Sequence, residues 1–313
     1  MKRDPRDVSV IIPAYNAAAT IERALASVSA QNNRPKEVIL VDDGSADGTV
    51  AMAKKFESNL GDINLIVHEQ ENLGPGAARN HALGQSGGEL VAFLDADDEW
   101  LPEKLEKSLG WMDEYELGLV AHNGWLSQEG RESLVDIASR FQAAQPNLFH
   151  GLYRRGFIST SSVVVERSLI MEAGGFDESL RTGQDFDLWL RLAELPEFRM
   201  GVFETPLTRY HVRRESVTRQ TGQRLKDTLT IAYRHAHRLK RHPGASLGSV
   251  IFRITALYRE AIFAHTKSCR ILPALGTILQ VPFGLLRGAS SLKTYSTYRI
   301  QSPFAGPNSS EEK

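Results

Sequence analysis

Leu90-Val91-Ala92-Phe93-Leu94-Asp95-Ala96-Asp97-Asp98 decides the fold: five apolar residues run straight into three carboxylates. A short apolar run with an abrupt polar end reads as a buried strand whose carboxyl end meets solvent. The same unit recurs upstream. Val8–Ile12 is closed by Pro13 and followed by Tyr15-Asn16, Val38–Val41 by Asp42-Asp43-Gly44-Ser45, and Ile63–Val67 by the turn Gly74-Pro75-Gly76. Helical patterns lie between them. Ile21, Leu25 and Val28 recur at spacings of three and four, with Asn16 as the expected cap; Ala51–Phe56 and Ala77–Leu83 follow, and Pro102 is expected to open the next helix. Strands alternating with helices at this spacing predict an α/β fold, a mostly parallel sheet with helices on both faces. Ligands of such sheets sit beyond the carboxyl ends of the strands, where these polar residues gather.

Beyond about residue 118 the pattern is irregular, with strands expected at Leu119–Ala121 and Ser162–Val165 and a helix at Phe186–Ala193. From about Lys226 the text is helical and basic, and the tail after Gln301 reads as disordered. The boundaries expected are 1–220 for the main domain, 221–300 for a helical basic region and 301–313 for the tail.

The chain has 313 residues, 42% hydrophobic and 24% charged, which excludes wholesale disorder. Its one cysteine, Cys269, excludes an internal disulfide and a thiolate metal cluster. The net charge of −1 conceals a split. Residues 1–208 hold 19 basic and 33 acidic side chains, whereas 209–313 hold 18 and 5. The basic part faces either an anionic partner or the acidic part itself. Few aromatics interleave its charges, so nucleic acid ranks low. No secretory signal is visible, and the apolar run Ile271–Leu286 is interrupted by Pro273 and Pro282, so it does not read as a membrane span. A cytoplasmic protein is expected, with the basic helices a candidate for peripheral contact with an anionic inner membrane face.

Several motifs fail as they stand. Asp43, Ser45, Asp47 and Gly48 fall at EF-hand positions, but the twelfth position is Lys54. Gly74-Pro75-Gly76 begins a dinucleotide fingerprint whose third glycine is replaced by Arg79. The run Asp95–Asp98 is stronger: adjacent carboxylates repel unless a cation such as Mg²⁺ or Mn²⁺ binds, the alternative being a solvated turn. Asp42-Asp43 serves equally well as a turn with a helix cap. Asp185, at the start of a helix, is either a cap or a general base. His211 reads as structural first, with metal ligand as the alternative. His235, His237 and His242 read as part of a solvated basic face.

Five segments occurring in order carry a resemblance: Val8–Asn16 (VSVIIPAYN), Val41–Thr49 (VDDGSADGT), Asn72–Asn80 (NLGPGAARN), Phe93–Asp98 (FLDADD) and Gln184–Leu190 (QDFDLWL). Together, over about residues 8–215, they resemble the family 2 inverting glycosyltransferases with the GT-A fold, a Rossmann-like sheet that binds nucleotide-diphospho-sugars. The resemblance implies a nucleotide-sugar donor, UDP-sugar favoured, held through Mg²⁺ or Mn²⁺. By position, Pro13, Tyr15, Asn16 and Asp43 would line the donor pocket, with Arg79 on the nucleotide and Asp95 near the ribose. Asp97 would coordinate the metal, with Asp95 and His211 as further candidates, and Asp185 would be the base. Ser161 and Trp189 are weaker candidates for the acceptor side, and the acceptor itself would be a carbohydrate or a lipid-linked sugar. The chain has Gln184-Asp185 where the family often has Glu-Asp. The Gln-x-x-Arg-Trp signature of processive members is absent, which implies single-sugar transfer. The alternative is a non-catalytic nucleotide-sugar-binding protein of the same fold.

Overall fold

A computed structural model describes residues 3–4, 7–211, 221–293 and 303–304. Four strands, β1 (Val8–Ala14), β2 (Glu37–Asp42), β3 (Asn64–Glu69) and β4 (Leu90–Phe93), pair in parallel in the order β3-β2-β1-β4. Between them run α1 (Ile21–Ser29), α2 (Thr49–Phe56) and α3 (Pro75–Gln85). The sheet continues through β8 (Val164–Glu166), β6 (Leu119–Gln128), β9 (Met200–His211) and β5 (Glu99–Trp100), with β7 (Arg131–Val135) pairing β6. β4–β8, β6–β8, β6–β7 and β5–β9 are antiparallel, and β6–β9 is parallel. The expected parallel half is present. β5, β7 and β9, and β6 beyond Ala121, were not legible, because strands of mixed polarity lack a continuous apolar run.

Side chains alternate across each strand, so both faces must be covered. Val8, Val10 and Ile12 pack with α1, α2 and α4 (Lys104–Glu114) in one cluster. Ile11, Ile39 and Phe93 pack on the other face, where α3, α5 (Ala138–Ala144), α6 (Leu148–Arg155), α7 (Arg167–Glu172), α8 (Gln184–Leu192), α9 (Thr221–Ala236) and α10 (Ser246–Lys267) contribute to one core. α9 and α10 therefore pack into the same core as the helices that precede them.

Three local expectations are corrected. Asn16 does not cap α1: it stands at φ 49, and Thr20 occupies the N-cap position. Its carboxamide oxygen instead accepts from the Ala46 amide at 2.9 Å, while its own amide donates to Ser45 Oγ at 2.8 Å. Pro102 lies in the turn ahead of α4, which starts at Lys104. Pro273 and Pro282 do not break the last helix, α11, which runs unbroken over Ile271–Ser291. Pro273 lies in the first turn, where its missing N–H is unneeded, and Pro282 removes one interior hydrogen bond. The 301–313 tail lies outside the described residues except Pro303 and Phe304, and Phe304 packs on the core.

Candidate active site

The carboxyl ends of β1, β2 and β4 and the start of α3 enclose a cleft of about 740 Å³. It is lined by Pro13, Tyr15, Asn16, Asp43, Arg79, Asp95 and Asp97, so the structure brings these expected donor residues together. Arg181 and Gln223 line it too. Neither was found from the sequence: Arg181 precedes the Gln184–Leu190 motif, and Gln223 belongs to α9. A cavity of about 890 Å³ lies between Arg3, Gly87, Gly88 and Arg167, at the amino ends of β1 and β4. The carboxyl-end cleft is the functional candidate, because the strand ends there converge on one opening.

Asp43 is buried and fully engaged. Its Oδ1 accepts from Gln70 Nε2 (2.8 Å) and the Leu73 amide (2.9 Å), and its Oδ2 from the Gly74 amide (2.8 Å). It thereby fixes the 70–74 loop that forms one wall. Gly74 has φ 100, and a Cβ there would stand 3.2 Å from Arg181 Nη1, so a glycine lets the arginine lie against the loop. Asp42 keeps the turn role: its carboxylate accepts from the amide and hydroxyl of Ser45. Arg79 is 4% exposed, donates to Asp95 Oδ1 at 2.6 Å and retains a buried Nε with no hydrogen-bond partner. Tyr15 is 55% exposed at the mouth.

The acidic loop separates three roles. Asp95 pairs with Arg79, and Asp97 is exposed on the cleft. Asp98 is buried, and burial with the neighbouring charges of Asp95 and Asp97 pushes its carboxyl well above the usual range, against the hydrogen bond from Ser161. The His211 imidazole lies against Glu99, with Nε2 3.3 Å from Oε2, while the His211 backbone hydrogen-bonds to Asp98. Among the described residues no three His, Cys, Asp or Glu side chains converge on a metal position. The donor set still fits Mg²⁺ or Mn²⁺, which usually take one or two carboxylates and complete their shell with substrate phosphates and water. An exposed Asp97 beside Asp95 in an open cleft is such a set.

Asp185 lies in the first turn of α8, after Gly183 in the left-handed conformation. Its Oδ2 accepts from Thr160 Oγ1 at 2.9 Å and its Oδ1 from the Phe186 amide at 2.8 Å. The next residue in the 160–162 turn, Ser161, bonds the acidic loop, so one short 3₁₀ turn joins Asp185 to Asp95 and Asp98. Ser161 and Trp189 are 0% and 2% exposed. They are framework residues rather than surfaces open to an acceptor; the Trp189 indole packs against Phe93.

This curled, half-parallel sheet with its cleft at the strand ends is the GT-A glycosyltransferase fold. S. aureus TarS, solved with UDP-GlcNAc, superposes with a TM-score of 0.65 at 20% identity over 92% of this chain and 90% of that one. A mannosyltransferase from Pyrobaculum calidifontis, solved with GDP-Man and Mn²⁺, gives 0.60 at 21% identity over 93% and 88%. Residues 9–151 match glycosyl transferase family 2, and residues 90–283 match glycosyl transferase family group 2. A putative teichuronic acid biosynthesis glycosyltransferase of Bacillus subtilis is 32% identical over 235 residues, 74% of this chain and 89% of that protein. The chain spans 57% of the length of a succinoglycan biosynthesis protein of Rhizobium meliloti, 33% identical over 213 residues, and 89% of the Bacillus subtilis protein. It belongs to the family 2 glycosyltransferases and is an enzyme of the transferase class.

Proposed function

We propose that this chain moves one sugar, with inversion, from a nucleotide-sugar to an acceptor hydroxyl, in the cytoplasm and in assembly of a surface polysaccharide or glycolipid. UDP-sugars are the favoured donors, and a carbohydrate or lipid-linked sugar is the acceptor. The observation that carries the reading is the cleft itself, where Asp43, Arg79, Asp95 and Asp97 converge from separate strand ends and helices.

Pro13 and Tyr15 flank the base, and Asp43 and the 70–74 loop fix its edge. Arg79 and Arg181 place positive charge where a diphosphate would lie. Asp97, with Asp95 beside it, is the residue to hold Mg²⁺ or Mn²⁺. Such a cation, when bound, stabilises the negative charge that develops on the leaving diphosphate. Asp185 accepts the proton of the attacking hydroxyl, its carboxylate oriented by the Thr160 hydroxyl and the Phe186 amide. One displacement at the anomeric carbon inverts configuration and needs no covalent enzyme intermediate.

The test is thermal shift with UDP, GDP and their sugars, with and without Mn²⁺, alongside a transfer assay. A ligand that binds only the folded chain raises its melting temperature. UDP should do so in a Mn²⁺-dependent manner, and Asp97→Ala should abolish the rise. Asp185→Ala should retain nucleotide binding and lose transfer by about 10²-fold or more. No shift with any nucleotide would sink the donor assignment. Near wild-type transfer by Asp185→Ala would remove the base, and binding without turnover in the unaltered chain would favour the binding-protein alternative.

A further inference from the structure

The face of α11 turned away from the protein is apolar from end to end. Leu272, Leu275, Ile278, Leu279, Phe283 and Leu286 are 47–81% exposed, and at 3.6 residues per turn they form one continuous stripe. The opposite face is committed. Ala274, Thr277, Gly284 and Gly288 are buried, and the two glycines seat against Tyr258 and Ile254 of α10. Partners that descend along α10 as α11 ascends make an antiparallel hairpin. A Cβ at Gly284 would stand 2.5 Å from the Tyr258 ring, so this packing is close and fixed.

We propose that this stripe docks in the plane of an anionic phospholipid bilayer, holding the enzyme on the membrane surface. The inference concerns a surface remote from the donor cleft and does not depend on the donor chemistry. Six adjoining large side chains far exceed the singly scattered apolar residues of an ordinary soluble surface. Charge selects the occupant. Residues 261–293 contain Lys267, Arg270, Arg287 and Lys293 and no acidic residue. Lys267, Arg270 and Lys293 are exposed and make no ion pair among the described residues. Upstream, by contrast, Arg234 pairs with Asp177 and Asp187, and Arg238 with Glu194. Lys267 and Arg270 at one end of α11 and Lys293 beyond the other thus flank the apolar stripe with positive charge, the arrangement that suits acyl chains beneath an anionic headgroup layer. A second copy of the chain would bring two such uncompensated rims together.

α11 is long and apolar enough by composition to cross a membrane. Its packing along α10 argues for lying flat, because crossing would carry Arg253, Arg259, Glu260 and Lys267 into the hydrocarbon.

The experiment is flotation of the full chain with vesicles of phosphatidylcholine plus phosphatidylglycerol, and with phosphatidylcholine alone, at low and high salt. The chain should float with the anionic vesicles and release as salt rises. Leu279→Ser with Phe283→Ser, and separately Lys267→Glu with Arg270→Glu, should each lower the bound fraction about tenfold or more. Each of these variants alters only exposed side chains, and each should keep the nucleotide-induced thermal shift of the unaltered protein. Absence of flotation on anionic vesicles at low salt overturns the proposal, and so does equal binding to neutral vesicles. A dimer abolished by Phe283→Ser, without lipid binding, would assign the stripe to a second copy instead. Flotation that persists without any nucleotide shift would count against the donor reading alone.

Discussion

The hydroxyl of Ser161 holds the acidic loop at two points, donating to Asp98 Oδ2 at 2.6 Å and accepting from the Asp95 amide at 3.1 Å. Its carbonyl accepts from Trp100 Nε1 and Thr208 Oγ1, tying the same turn to β5 and β9. Ser161→Ala would remove one partner from the buried Asp98 carboxyl, which keeps its bond to the His211 backbone, and the hydroxyl partner of the Asp95 amide, at a cost of about 1–3 kcal/mol. The midpoint of urea unfolding should fall accordingly, and the Mn²⁺-dependent nucleotide shift should weaken because Asp95 and Asp97 lose their anchor. An unchanged midpoint would show that the loop is held elsewhere. Which side chains line the cleft was largely legible, since Asp43, Arg79, Asp95 and Asp97 stand at strand ends or in a motif. The Ser161 role was not. A serine in a short turn signals nothing about which carboxylate, more than sixty residues away, lies above it.

At the scale of elements, α8 and α9 are clipped by a buried ionic cluster. Asp187, 0% exposed, accepts from Arg191 Nε (2.9 Å), Arg234 Nη1 (2.9 Å) and His235 Nε2 (2.8 Å). Burial alone would raise its pKa, but the His235 hydrogen bond and the charges of Arg191 and Arg234 outweigh it and hold the carboxyl below the usual range. Asp227 of α9 adds a second tie, accepting from the Thr182 amide and hydroxyl. α9 therefore positions the 181–185 segment that carries Arg181 and Asp185. Asp187→Asn would leave two guanidinium groups short of a counter-charge, and the expected loss is about 3–5 kcal/mol, read as a lowered denaturation midpoint. A loss within about 0.5 kcal/mol, the size of an ordinary surface substitution, would mean the cluster is dispensable. The helical character expected over 221–300 is present in its described residues, 221–293. Its attachment was not legible, because a histidine among arginines reads as a solvated face until a buried aspartate is placed against it.

At the scale of the whole molecule, and among the described residues, Arg234 and Arg238 pair with acidic groups of the preceding part, while Lys267, Arg270 and Lys293 flank α11 without an ion pair. Buried titratable groups then set how stability follows pH. His122 is wholly buried; burial first, and the charge of Lys104 second, lower its pKa to about 3 from the ordinary 6.5. Below pH 6.5 the unfolded chain takes up a proton that the folded chain refuses, so stability falls as pH drops towards 3. The slope from this one group is at most about 1.4 kcal/mol per pH unit. Burial also lowers the His235 pKa, which acts in the same direction. The depressed Asp187 carboxyl contributes stability above about pH 4 that is lost below it. Melting temperature should therefore decline through the mildly acidic range, and His122→Gln should flatten part of that decline; a slope unchanged in the variant would refute the assignment. The sequence alone determined the alternating parallel half of the sheet and the edge at which the chemistry gathers. Those features follow from local apolar periodicity and from polar residues placed at strand ends. Only the tertiary structure decided the antiparallel half, the Ser161 and Asp187 anchors and the bare face of α11. Each depends on which distant surfaces meet, and burial between segments far apart in the chain leaves no periodic mark on either one.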